Sequence, residues 1–341
     1  MESPQPSEQS TVSEIVNQRL GLDGLDYPVP VRAGQLDFML GALTLVALVL
    51  LALTGVVLTQ FFNPAVNGAH DSVRYILTGN AVVALLRDVH IWSASASLTL
   101  VFSHLVAVFW RVGFRKPREG MWWSGVLLLA VLFGLAFTGT VLPGDQGAVE
   151  ALSHATAAAK LVGPLGAVLT EGFTPSTPLA TRLYGMHVSV LPLALVAVLA
   201  LHLWLIRQLG VSADGETQES FRRHLRRVGG FGFLLVSLVT SLALVFPRDL
   251  FQPGIDGVEL TKPFWPFLWI YAAENLFGMT GMMLAPGVLF GFLALVPVAD
   301  RRDGRGAQVV RVVGVVLFAL MLTGILYAAL APAQPHLNMA M

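Results

Sequence analysis

Two stretches decide the fold: DVHIWSASASLTLVFSHL at residues 88–105 and MHVSVLPLALVAVLALHL at residues 186–203. Each is apolar for most of its length and carries a histidine near either end, His90 and His104 in the first, His187 and His202 in the second. The spacings are fourteen and fifteen residues. A helix turns about 100° and rises about 1.5 Å per residue, so fourteen steps return to within roughly 40° of the same face, about 21 Å further along. Fifteen steps miss by roughly 60°. Both segments therefore read as helices with one imidazole near each leaflet on a single stripe.

Working outward, five more stretches are apolar and long enough to cross a hydrocarbon core, which takes about 20 helical residues. The seven expected spans are A 38–61, B 90–110, C 121–142, D 187–206, E 229–247, F 275–298 and G 312–332. The chain of 341 residues is 55% hydrophobic and 12% charged, with a mean hydropathy of +0.70, which a water-soluble domain of this length does not sustain. Its 21 basic and 21 acidic residues cancel, so no global field draws in nucleic acid. The absence of cysteine excludes disulfides, thiolate metal sites, iron–sulfur ligation and thioether-linked haem within the chain. Residues 1–37 read as a polar N-terminal segment without the apolar run of a signal peptide, and residues 12–20 as a short surface helix.

Orientation follows from the arginines. The B–C, D–E and F–G loops hold Arg111, Arg115, Lys116 and Arg118; Arg207, Arg222, Arg223, Arg226 and Arg227; and Arg301, Arg302, Arg305 and Arg311. The opposite loops hold only Arg74, Arg87, Lys160, Arg182, Arg248 and Lys262. The positive-inside rule makes the N-terminus and the arginine-rich side cytoplasmic, the n side, and turns the longer A–B, C–D and E–F loops to the p side. The expectation is a multi-pass protein of a bacterial cytoplasmic membrane.

Histidine within a span is costly and marks function by default. One alone reads as a core residue bonded to a neighbouring helix. Four in two level pairs, His90 with His187 on the p side and His104 with His202 on the n side, read as the axial ligands of two haems. Glycine supports this independently: Gly41 and Gly55 in A, and Gly125 and Gly139 in C, are also fourteen apart. A flat macrocycle needs flanking helices that lack side chains where it lies, whereas glycines serving ordinary helix packing recur at about four. Arg87 and Arg182 stand at the p-side mouth, where they would pair with haem propionates or simply mark the membrane boundary.

At this point the chain resembles the cytochrome b family, and most closely the b6 type with its fourth-subunit partner fused on. The resemblance rests on FMLGALTL with LTG in span A, NPAVNGAHDSVRYILTGNAVVALLRDVHIWSAS at 63–95, GFRKPRE at 113–119, TGTVLPGDQ at 138–146, TRLYGMHVSVLPL at 181–193 and IRQLG at 206–210. It runs from about residue 12 to 210 and is thin from 228 onward. It implies an all-α membrane protein of seven transmembrane helices: a diheme four-helix bundle over 38–227 followed by three further helices over 228–341. It also implies two haems b, a quinol-oxidation pocket on the p side, and a quinone pocket on the n side near Arg207. The chain would act as the cytochrome b subunit of a quinol-oxidising oxidoreductase, dimeric, with a Rieske-type iron–sulfur protein and a c-type cytochrome as partners.

Three departures qualify what the resemblance implies. Met39 stands where the b6 type attaches an extra haem through cysteine, so no covalently attached third haem is expected. Gly144 replaces the family's tryptophan after span C. Pro263-Phe264-Trp265-Pro266 stands where the family carries Pro-Glu-Trp-Tyr, and Phe264 cannot accept a quinol proton. Among Asp145, Asp256, Glu259 and Glu274, Asp145 is the first choice as replacement and Glu274 the second. Two other readings stay open: a diheme anchor linking a dehydrogenase to the quinone pool without bifurcation, and a haem-free transporter or scaffold. The latter would need broken helices or substrate-lining charges within its spans, and the sequence shows no ionisable group deep in a span besides the histidines.

Overall fold

The computed structural model describes residues 12–21, 24, 27–210, 217–300 and 304–337. Residues 1–11 of the polar N-terminal segment, and Arg301 and Arg302 of the n-side charge count, lie outside the described residues. The surface helix expected over 12–20 forms as α1 (Val12–Arg19). Among the described residues, seven helices are long and apolar enough to cross a membrane. They are α2 (Leu36–Leu58), α4 (Ala81–Trp110), α5 (Glu119–Val141), α8 (Leu191–Leu209) with its N-terminal extension, α9 (Phe221–Val245), α10 (Leu268–Ala299) and α11 (Arg305–Leu330). Between them lie α3 (Ala69–Gly79) and α6 (Gln146–Leu161) in the two longer loops, and α7 (Leu179–Gly185) running into α8.

Spans E and G also start early, at Phe221 and Arg305, and three other departures from the expected bounds have local physical reasons. Helix α4 begins at Ala81, nine residues before the expected start of span B, because Asn80 caps it: its side chain accepts from Val82 N and Val83 N at 3.0 and 3.3 Å. Arg87 and Asp88 therefore lie inside the helix and are buried, which corrects the expectation that only histidines are ionisable within the spans. Their burial is compensated by partners: Arg87 donates to Asp88 (3.2 Å) and to Arg248 O (2.6 Å), and Arg248 N donates to Asp88 (3.2 Å). Helix α8 joins α7 through a single π-helical turn, Met186–Val190, that contains His187. Pro192 lacks the N–H and crowds the carbonyl four residues back, and the wider turn accommodates both. Span F starts seven residues early and is broken at Gly278, where φ is +64° and ψ −161°, a conformation that glycine alone adopts without strain. Glu274 thus sits on a short helical piece before the break.

Helix α2 packs chiefly on α4, α5 on α8, α10 on α11, and α9 against both α2 and α4. The main core fills the space between α4, α5 and α10, with Leu98, Trp122, Leu129, Phe133 and Val296 buried together. Loops on each side are tied to one another as the expected topology requires. On one side β1 (Pro28–Pro30) pairs antiparallel with β2 (Gln218–Ser220), Asp37 bonds Arg111, and Arg115 forms a two-pronged pair with Asp300 at 2.9 and 3.1 Å. These join the N-terminal segment, the B–C loop, the D–E loop and the end of α10. On the other side Thr181 donates to Pro64 O (3.3 Å), and the E–F loop lies along α6. There Gln146 N donates to Gln252 O (2.9 Å), and the Glu150 carboxylate receives Leu260 N (2.7 Å) and Thr261 N (2.9 Å).

Candidate functional site

The histidine stripes of α4 and α8 face each other. His90 and His187 have ring centroids 6.4 Å apart with planes at 65°. A separation of this size leaves room for one metal ion between the two rings. His104 and His202 interact electrostatically across the same bundle.

Ligation also requires the correct nitrogen to be free, and the hydrogen bonds settle this for three of the four rings. Thr54 Oγ1 donates to Leu50 O (2.7 Å), so toward His90 Nδ1, 3.0 Å away, it accepts. Thr138 Oγ1 donates to Gly134 O (2.8 Å) and accepts from His187 Nδ1 (3.0 Å). Ser124 Oγ donates to Met121 O (2.8 Å) and accepts from His202 Nδ1 (2.8 Å). Each ring then carries its proton on Nδ1 and a lone pair on Nε2, the state of an oriented metal ligand. His104 differs: its Nδ1 is buried without a hydrogen-bond partner among the described residues.

The four glycines lie against the four imidazoles. A Cβ at Gly41 would stand 3.2 Å from His104 Cε1, at Gly55 3.2 Å from His90 Cε1, at Gly125 3.5 Å from His202 Cε1, and at Gly139 3.0 Å from His187 Cε1. What each glycine immediately makes room for is an imidazole edge. The three hydroxyls each directly precede a glycine, in the dipeptides Thr54-Gly55, Ser124-Gly125 and Thr138-Gly139. That repeated pair was the sequence signal for these otherwise unanticipated residues. The fourth glycine follows Leu40, which explains the unpartnered His104. Paired rings, fixed tautomers and side-chain-free flanks together fit haem b.

The arginines at the mouth engage protein partners. Beyond the contacts of Arg87 given above, Arg182 donates to the carbonyls of Val168 (2.7 Å), Thr170 (2.6 Å) and Thr177 (3.3 Å), holding the C–D loop. Arg207 stacks on Tyr27, its guanidinium carbon 3.8 Å from the ring centroid. Met39 is fully buried.

In the E–F loop, Phe264 packs into the core beside Trp265, whose indole donates to Ser95 (3.3 Å). Asp145 caps α6, accepting Ala148 N on one oxygen (3.0 Å) and Phe251 N on the other (3.3 Å), so its carboxylate pins the E–F loop. Asp256 is exposed. Glu259 and Glu274 are each 3% exposed and meet His154 and His336, two histidines that the sequence reading did not single out.

Comparison with known proteins is consistent with this geometry. The family described as Cytochrome b/b6/petB matches residues 26–210. The chain is 31% identical over 320 residues to a cytochrome bc complex cytochrome b subunit of Chlorobaculum thiosulfatiphilum, covering 86% of this chain and 74% of that one. It is 33% identical over 198 residues to a cytochrome b6 of Heliobacterium modesticaldum, covering 57% and 93%. Among solved structures, a hyperthermophilic respiratory Complex III chain superposes with a TM-score of 0.75 at 21% identity, covering 95% of this chain and 90% of that one.

Proposed function

The chain belongs to the cytochrome b/b6 family, a membrane cytochrome b subunit in electron transfer, and on that premise we propose that it is the diheme subunit of a quinol-oxidising complex. His90 with His187 would hold one haem b near the p side, and His104 with His202 a second near the n side. When bound, these groups supply one-electron carriers in both leaflets. The observation that carries the reading is the His90–His187 pair, 6.4 Å apart with both Nδ1 protons donated to threonine hydroxyls.

The protein's own contribution is placement. Thr54, Ser124 and Thr138 fix the tautomers and raise the basicity of the rings they bind. Gly41, Gly55, Gly125 and Gly139 admit the rings, and the buried apolar core around Phe133 keeps water from between the helices. We assign p-side quinol oxidation to the seam between the end of α5, the E–F loop and the first piece of α10. Phe264 presents no proton acceptor there, and Asp145 and Glu274 are its carboxylates. An n-side quinone pocket is assigned near Arg207. A Rieske-type protein and a c-type cytochrome are the proposed partners, with the chain dimeric in a bacterial cytoplasmic membrane and its N-terminus inside.

The test is haem content and redox spectra of the purified chain. Two low-spin haems b per chain are expected, with His90→Ala removing one signal and His104→Ala the other. Fewer than two haems at full occupancy, or loss of both signals from either variant in a folded protein, overturns the assignment.

A further inference from the structure

Beneath the p-side surface, three distant parts of the chain converge on one buried polar cluster: His154 on α6, Glu274 on α10, and His336 on the segment after α11. One ligand atom from each, a ring nitrogen or a carboxylate oxygen, lies within 4.8 Å of the other two. We propose that His154, Glu274 and His336 form a binding site for a divalent transition cation of the zinc class, separate from the haem ligands, that fastens the C-terminal segment to α6 and α10.

The argument begins with the ring protons. His154 Nδ1 lies 2.8 Å from Glu150 O, a carbonyl that can only accept, so this nitrogen carries the proton. Its Nε2 then points a lone pair at two carboxylates, Glu259 at 3.1 Å and Glu274 at 3.4 Å, and is hydrogen-bonded to neither. Lone pair against carboxylate is repulsive, and a cation between them reverses the sign. His336 shows the same arrangement from the other side. Its Nδ1 lies 3.1 Å from Glu259, whose carboxylate also receives His336 N at 2.7 Å, so the other ring nitrogen, Nε2, is the one a cation would take. A carbonyl behind one ring and a carboxylate behind the other are the supports that orient metal-binding histidines. The contact that must yield is Asn275 Oδ1, 2.7 Å from His336 Nε2.

The third donor is the unsatisfied one. Glu274 is 3% exposed, and its Oε1 has no hydrogen-bond donor. A buried carboxylate oxygen left without a partner is expensive. Bond lengths of about 2.0–2.2 Å to nitrogen and oxygen set the edges of a tetrahedral zinc site near 3.4 Å. The His154–Glu274 edge is 3.4 Å as it stands. Two histidines and one glutamate, without sulfur, form a recognised zinc donor set with a fourth position for water. The segment that delivers His336 is itself anchored, since Gln334 N donates to Tyr271 Oη (2.8 Å).

The experiment is zinc binding by the haem-loaded full chain, stripped with chelator and titrated calorimetrically with Zn²⁺. X-ray absorption at the zinc edge would read the ligands. One zinc per chain is expected, with nitrogen and oxygen neighbours only. His154→Gln and His336→Gln should each weaken binding at least tenfold, and Glu259→Gln, behind the ring, by about 10–100-fold. His70→Gln, a p-side histidine bonded to Phe251 O, serves as control and should change nothing. Ending the chain after Pro335 removes His336 without touching a span, and should reproduce His336→Gln even if that variant folds poorly. Binding below one zinc per chain, or affinity unchanged from the parent in His154→Gln and in the shortened chain, overturns the proposal. Zinc lost equally in His70→Gln does so as well. In each of these cases the cluster holds protons and no cation.

Discussion

The closest of the four glycine contacts gives the sharpest test of how the imidazoles are held. In Gly139→Ala the new methyl group stands 3.0 Å from His187 Cε1, where carbon atoms in contact prefer about 3.5–4.0 Å. The ring cannot simply recede, because its Nδ1 is bonded to Thr138 Oγ1 at 3.0 Å, on the residue next to the mutated one. Overpacking of this kind costs about 1–3 kcal/mol, equivalent to roughly 5- to 150-fold in binding. Gly125→Ala, on the same helix, is the built-in comparison. Its methyl lies 3.5 Å from His202 Cε1, an ordinary contact, and alanine gains helix stability over glycine of roughly 0.5–1 kcal/mol. Haem retention is the assay: the two variants are purified in parallel, and loss of each haem to an acceptor protein is followed by reduced-minus-oxidised spectra. Gly139→Ala should shed the p-side haem within the stated range while keeping the n-side one, and Gly125→Ala should keep both. Equal retention in the two variants would refute the reasoning, and so would loss of the n-side haem from Gly139→Ala.

Thr54→Val keeps the volume and removes the acceptor for His90 Nδ1, so the ring becomes less basic and the p-side haem's midpoint potential should rise while the n-side one stays put; potentiometric titration reads both. Leu40→Thr supplies at His104 the hydroxyl that the other three rings already have, and should move the n-side midpoint down in the same titration. Asp145→Ala loses the cap of α6 and the grip on Phe251 N, at about 0.5–2 kcal/mol. Limited proteolysis should then cut residues 246–264 faster with both haem spectra unchanged. Gly278→Ala forces a side chain to φ +64°, at about 1–2 kcal/mol, and should lower the thermal unfolding temperature.

The histidine-bearing helices of the first half were legible because their signals are local. Spacings of fourteen along a helix convert directly to a face and a depth, and glycine and histidine repeat with the same interval. Even the discordant fifteen between His187 and His202 has a local cause, since the π-helical turn at Met186–Val190 takes up the extra residue. What escaped was non-local. Arg87 read as a partner for haem propionates or a boundary arginine, because its partner, Arg248, lies 161 residues away in the E–F loop. Asp145 read as a free carboxylate after span C, whereas the E–F loop folds back and uses both its oxygens. The cluster of His154, Glu259, Glu274 and His336 has no spacing to read, because four separate segments contribute one residue each.

The way the loops are tied together has a mechanical consequence. Helices α2 to α8 and helices α9 to α11 follow one another in a single chain, yet the bonds between the two groups occur on both faces of the membrane. On one face they are β1 with β2 and Arg115 with Asp300; on the other, Gln146 and Glu150 with the E–F loop and Arg87 with Arg248 O. A sheet riveted along both edges does not part when one thread between the rivets is snipped. A cut between Gly210 and Thr217 should therefore leave two fragments that stay together.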